Sequence, residues 1–217
     1  MAHVQSERAS SAIKESSPGV VISLGVSRNV QVERQLKQDL PIGSAFYGTD
    51  PIVEKNAGFF AVLGTYFPLK VQVQREPEET PSRHKKNKKH LAMVIDPMSF
   101  VKMMNLSKID YLILTGGVEY DIVPLLAARR AFGDSNIIVC QVIVEFTTPT
   151  SRARFDLFAN TMEDLVKSGH FVPILNVFNG YQRSLLLNFK DPFCVQKYIK
   201  DRFEISILPP QLVADIA

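Results

Sequence analysis

The sequence predicts an α/β domain built on a doubly wound, mostly parallel sheet that ends in an antiparallel C-terminal hairpin. Three observations lead there. Apolar runs of strand length alternate with amphipathic stretches along most of the chain. The strand-like runs are continuously apolar, as strands covered on both faces must be. The last two of them follow one another with only a turn between, which an antiparallel pair allows and a parallel pair does not. At 217 residues and 46% hydrophobic content the chain can build one substantial core. We expect a disordered lead over 1–17, the domain over 18–200 and a tail over 201–217.

The elements follow in order. VVISLGV (20–26) is a buried strand. Asn29 can cap the segment after it, in which Val32, Leu36 and Leu40 recur every four residues as a helix requires. Pro41 and Gly43 stop that helix, AFYGTD is a second strand ending at Asp50, and a second helix begins at Pro51, a residue suited to the first turn. TYFPLKVQV (65–73) is the third strand. Residues 75–90, REPEETPSRHKKNKKH, hold no large apolar side chain and read as a solvated basic loop. PMSFVKMMNL is a short helix, IDYLILT a buried strand, and GGVEYDIVPLLAARRAFG a turn followed by a helix. NIIVCQVIVEF is rich in β-branched residues, and RARFDLFANTMEDLVKSG is an amphipathic helix stopped by Gly169. FVPILNVF and SLLLNF then form the hairpin around Asn179 and Gly180.

Several function classes are disfavoured. A formal charge of +3 is too small to argue by itself for nucleic acid or an anionic surface. The run RHKKNKKH (83–90) lacks interleaved aromatics for base stacking, so nucleic-acid binding stays a minor alternative, detectable by its salt dependence. His3, His84, His90 and His170 have no ligand-spaced partners, and no metal site is expected. No stretch reaches the roughly 18–20 uncharged apolar residues of a membrane span. Cys140 and Cys194 read as separate core residues compatible with a reducing compartment, and the chain is expected to be cytoplasmic.

Ligands of doubly wound sheets bind outside the carboxyl ends of the strands. The turn SLGVSRN places Gly25 where backbone can approach a ligand; a single glycine there also suits a plain tight turn and does not make a dinucleotide fingerprint. Asp50, about 25 residues on, can accept both hydroxyls of a ribose or can cap the helix after it. Glu119 is either a general base or a helix-start carboxylate favoured by the dipole, and Glu145 either contacts substrate or is solvated. Phe59, Phe60, Tyr66 and Phe67 read as core, with Tyr66 or Phe67 as the alternative for stacking on a base.

The pieces VVISLGVSRNVQVERQLKQDLP, FYGTDPIVEKN, YFPLKVQV, IDYLILTGGVEYDIVPLL, NIIVCQVIVEF and LLLNFKDPFCVQKYI resemble, in order, segments of the FkbM-type methyltransferases. GTDPI is similar to that family's G-A-D-P segment, and GGVEYDIVPLL to its D-x-E-G-A-E-x-x-x-L-P stretch. The resemblance covers roughly residues 18–200. It implies S-adenosylmethionine across the ends of the first strands, with Gly25 and Ser27 near its amino-acid moiety, Asp50 and Pro51 at its ribose, and Gly117 in the facing turn. It implies methyl transfer to oxygen, with the acceptor undefined. Leu114 and Gly116 stand where the family carries Asp and Glu, and this departure leaves a catalytically degenerate binding or scaffold protein as the alternative.

Overall fold

The computed structural model describes residues 17–26, 29–73, 93–127, 132, 136–178 and 180–200. Its main sheet has seven strands: β1 (Val20–Leu24), β2 (Ala45–Thr49), β3 (Thr65–Phe67), β6 (Lys108–Leu114), β7 (Ile138–Phe146), β8 (Phe171–Phe178) and β9 (Gln182–Asn188). They lie in the order β3-β2-β1-β6-β7-β9-β8. The pairs from β3 to β7 are parallel, and β9 runs antiparallel to both β7 and β8. This is the doubly wound sheet with a reversed C-terminal pair that the sequence predicts. The chain leaves β1 toward β2 on one side and returns to β6 on the other, so the strand order reverses between β1 and β6.

The two faces are covered by different helices, because successive side chains of a strand point to opposite sides. Ile22, Leu24, Leu112, Leu114, Val142 and Val144 pack under α3 (Pro97–Met103), α4 (Glu119–Ile122) and α5 (Arg152–Ser168). Val21, Phe46, Tyr111 and Ile113 pack under α1 (Gln31–Asp39), α2 (Val53–Ala61) and the C-terminal turns. Each large apolar side chain so buried contributes about 1.5–3 kcal/mol. Local chemistry sets the helix ends. Asp96 accepts from the backbone N–H groups of Met98 and Ser99 ahead of α3, Ser151 accepts from that of Arg154 ahead of α5, and Gly169 ends α5 in the left-handed region.

Several elements depart from expectation. The third strand is interrupted at Pro68: β3 joins the main sheet, while β4 (Leu69–Val71) pairs in parallel with β5 (Met93–Ile95), a strand not anticipated. Proline has no N–H for a ladder, so the break falls there. The helix expected after Gly117 is short, passing after Ile122 into a 3₁₀ turn over Val123–Leu126. On α1 it is Glu33, not Val32, that faces the core; Val32 is 42% exposed. Asn29 accepts from the N–H of Gln31, but Val30 occupies the cap position itself.

The cysteines require a correction. Cys140 at the start of β7 and Cys194 in α6 (Pro192–Val195) are both fully buried, as expected, but they are bonded to each other as a disulfide. A separation of 54 residues hides the pairing from any spacing argument. Disulfides are rare in reducing compartments, so the bond weighs against that expectation. Beside it, Asp110 accepts from the backbone N–H of Val20 at 2.7 Å, from Lys197 Nζ at 2.8 Å and from the Tyr198 hydroxyl. Together these contacts fasten the C-terminal turns to the amino ends of β1, β6 and β7. Among the described residues no helix is long and apolar enough to cross a membrane.

Candidate functional site

At the carboxyl ends of β1 and β6, where the strand order reverses, two turns meet backbone to backbone. Gly25 has a φ of +83°, and a Cβ placed on it would lie 2.0 Å from the carbonyl oxygen of Thr115. No residue but glycine fits. The N–H groups of Gly25 and Val26 both donate to the Thr49 carbonyl at the end of β2, and the Thr115 hydroxyl donates to the Gly25 carbonyl. Gly116 and Gly117 continue the facing turn with φ of +76° and +95°. A Cβ on Gly117 would meet open space, whereas one on Gly25 or on Gly116 would lie 3.7 Å from the other's Cα. Ser27, predicted in the first of these turns, and the basic run 83–90 lie outside the described residues.

Asp50 stands immediately after β2, with Pro51 exposed behind it. One carboxylate oxygen accepts from the Ile52 N–H at 2.7 Å, and the other is without a hydrogen-bond partner among the described residues. The local turn therefore orients Asp50 and leaves it capacity to accept from a ligand. The Tyr66 hydroxyl donates to the Asp50 carbonyl at 2.6 Å and holds this corner from β3. Burial and the neighbouring Asp50 charge push the Tyr66 phenol up to about 12, so it stays a donor. Phe67 turns its ring to Phe100 at 5.4 Å in the core. That contact packs it against the core, with the side chain partly buried.

Glu119 and Glu145 occupy different surroundings. The Glu119 side chain is fully buried and accepts three hydrogen bonds, from the Gly117 N–H at 2.9 Å, the Thr147 N–H at 3.0 Å and the Thr147 hydroxyl at 2.8 Å. It braces the turn after β6 against the end of β7. Glu145, on β7, is partly exposed and pairs with Arg183 of β9 at 2.8 Å. These two carboxylates are not brought together. Leu114, where the resembled family carries an acid, is fully buried in the core, and Gly116 carries no side chain.

Sequence reasoning passed over Glu33. Its carboxylate, on the inner face of α1, accepts from the Ser23 hydroxyl of β1 at 2.8 Å, and burial raises its proton affinity above the ordinary carboxylate range. A charged residue three places from Val30 and three from Leu36 was the available signal, since all three share one helix face. Tyr120 stood out only as a position of the GGVEYDIVPLL motif, with no role assigned to it. Its hydroxyl donates to the Thr147 carbonyl at 2.6 Å, and its ring meets Phe146 at 5.7 Å. Among the described residues no group of three or more His, Cys, Asp or Glu side chains is arranged to hold a metal ion.

No family model matches the chain, and no curated protein matches it. Solved structures of similar outline include the following. The METTL16 methyltransferase domain is 16% identical over 87% of this chain and 66% of its own length, with a TM-score of 0.46. This chain thus spans just under two thirds of that domain. Fibrillarin of Aeropyrum pernix, solved with S-adenosyl-L-methionine, is 6% identical over 84% of this chain and 74% of its own, with a TM-score of 0.46. TrmK of M. capricolum, solved with S-adenosylhomocysteine, is 15% identical over 84% and 68%, with a TM-score of 0.41. Scores and identities this low carry neither a substrate nor a mechanism across to this chain.

Proposed function

We propose that this chain is an S-adenosylmethionine-dependent methyltransferase, FkbM-like, acting on an oxygen nucleophile. The observation that carries the reading is the glycine-only contact of Gly25 with Thr115 at the switch point, beside an Asp50 carboxylate with accepting capacity to spare. Crevices at such points receive nucleoside ligands, with an acid at the end of the second strand taking the ribose hydroxyls. S-adenosylmethionine, when bound, supplies an electrophilic methyl group on a positively charged sulfur. The chain's part is alignment: Asp50 and Pro51 orient the ribose, the Gly25 and Gly117 turns admit the amino-acid end closely, and the family resemblance assigns Ser27 to that same end. Glu119 acts by positioning, since its lone pairs already serve Gly117 and Thr147. Glu145, partly exposed at the end of β7, is held by Arg183.

The test is calorimetric titration of the full chain with S-adenosylmethionine, beside Asp50→Ala. The expected result is saturable binding that weakens about 10- to 100-fold in the variant, the worth of hydrogen bonds to a charged group. Absence of binding by the folded wild-type chain, to the cofactor and to its demethylated product, would overturn the reading.

A second reading is favoured by Leu114 and Gly116. With no acid at either position and Glu119 occupied, the domain keeps the crevice as a catalytically silent binding protein. Cofactor binding without turnover across an acceptor screen is its signature.

A further inference from the structure

A second feature of the same sheet edge has an unusual composition. Between the end of β7, the start of α5 and the β8–β9 turn lies a cavity of about 190 Å³, walled by Tyr120, Phe146, Phe155, Phe158 and Phe178. Phe146 and Phe158 meet edge to face at 4.9 Å, so the inner wall is rigid. Phe178 and Phe155 are 73% and 49% exposed, leaving the outer rings free to close on a ligand. An apolar cavity of about 150 Å³ already admits one benzene ring. The Arg154 guanidinium sits 5.4 Å from the Tyr120 ring centre, and that of Arg152, itself paired with Asp156, 5.5 Å from the Phe155 ring centre. Through Thr147, Glu119 ties this wall to the Gly117 turn, so the cavity adjoins the crevice described above.

We propose that this cavity is the acceptor subsite and that it takes a planar phenol. The inference rests on the methyltransferase reading for its transfer step, and on the cavity alone for binding. Flat aromatic walls select a ring over a branched aliphatic group. The choice of phenol follows from what the wall lacks: among the described residues lining it there is no carboxylate or histidine to take a proton. An aliphatic alcohol would need such a base. A phenol ionises near pH 10 unaided. In the transfer the phenol's proton passes to water and its oxygen bonds to the methyl carbon. The carbon–sulfur bond breaks with its electron pair left on sulfur, giving an aryl methyl ether and a neutral thioether.

The experiment uses the full chain and 4-fluorophenol, followed by fluorine NMR. Saturable binding is expected, weakened about three- to tenfold in Phe155→Ala and in Phe178→Ala and not displaced by cyclohexanol. Both rings are too exposed for their loss to unfold the chain, and a thermal melt within 2–3 °C of wild type, the scale of about 1 kcal/mol at this size, establishes that. Adding S-adenosylmethionine should then yield 4-fluoroanisole. Equal displacement by cyclohexanol, or indifference to both phenylalanine variants, overturns the subsite. If S-adenosylhomocysteine binds by calorimetry and 4-fluorophenol binds without forming the ether, the phenol acceptor is overturned while the cofactor reading stands. Phenol binding with no cofactor binding overturns the methyltransferase reading and leaves a phenol site.

Discussion

The two ends of the sheet solve opposite problems. At the amino ends, charged and polar side chains are spent on the chain itself: Asp110 takes three donors, Lys197 and Tyr198 are buried against it, and a disulfide lies alongside. At the carboxyl ends, side chains hold loops so that backbone and open space face outward. Glu119 and Tyr66 brace turns, Gly25 gives way to Thr115, and Asp50 and an aromatic cavity keep capacity for a ligand. On the proposed function, stability is concentrated at one end and binding at the other, so changes at the two ends should be separable.

The largest expected effect comes from breaking the amino-end anchor. Asp110→Asn leaves Lys197 buried without its counter-charge and should cost about 3–5 kcal/mol in urea denaturation. Affinity for S-adenosylmethionine in the folded fraction should be unchanged; a parallel loss of both would show that the two ends are coupled. Reduction of the disulfide, or Cys194→Ser, comes next. It releases a closed loop of about 54 residues and should lower stability by about 2–4 kcal/mol, read as a lower melting temperature. If reductant does not move the melt, the link does not contribute to stability.

Glu33 sharpens the comparison from the other end. Burial raises its folded proton affinity above the ordinary value of 4.5. The folded chain therefore holds this proton more tightly than the unfolded chain. The stability this adds is complete below about pH 4.5 and is lost as pH rises through the folded value. Glu33→Gln can keep the Ser23 hydrogen bond without the charge. It should match wild type below about pH 4.5 and exceed it by about 1–3 kcal/mol near pH 7.5. Identical pH slopes for the two proteins would mean that this carboxylate is ionised at no cost.

Much of the fold was legible because it is written locally. VVISL, KIDYLIL and IVCQVIVEF are dominated by apolar residues, as strands buried on both faces are, and Gly169 marks a helix end by its own backbone chemistry. Asp50 was legible for the same reason, since the end of a strand and the start of a helix can both be read from sequence. The break at Pro68 was missed, although Pro68 is the one residue of its strand that cannot donate. The β4–β5 pairing was not legible, because its partners are more than 20 residues apart across the basic segment.

By itself, then, the sequence determined the alternating elements, the parallel sheet with its reversed last pair, and the sheet edge at which Gly25 and Asp50 lie, because periodicity and turn chemistry act between near neighbours. Only the tertiary structure decided what those residues do to one another. The Gly25–Thr115 contact spans 90 positions, the Glu119 brace to Thr147 spans 28, the Asp110–Lys197 pair 87 and the disulfide 54. Contacts at such separations leave no periodic trace, since they arise only when packing has brought distant strand ends together.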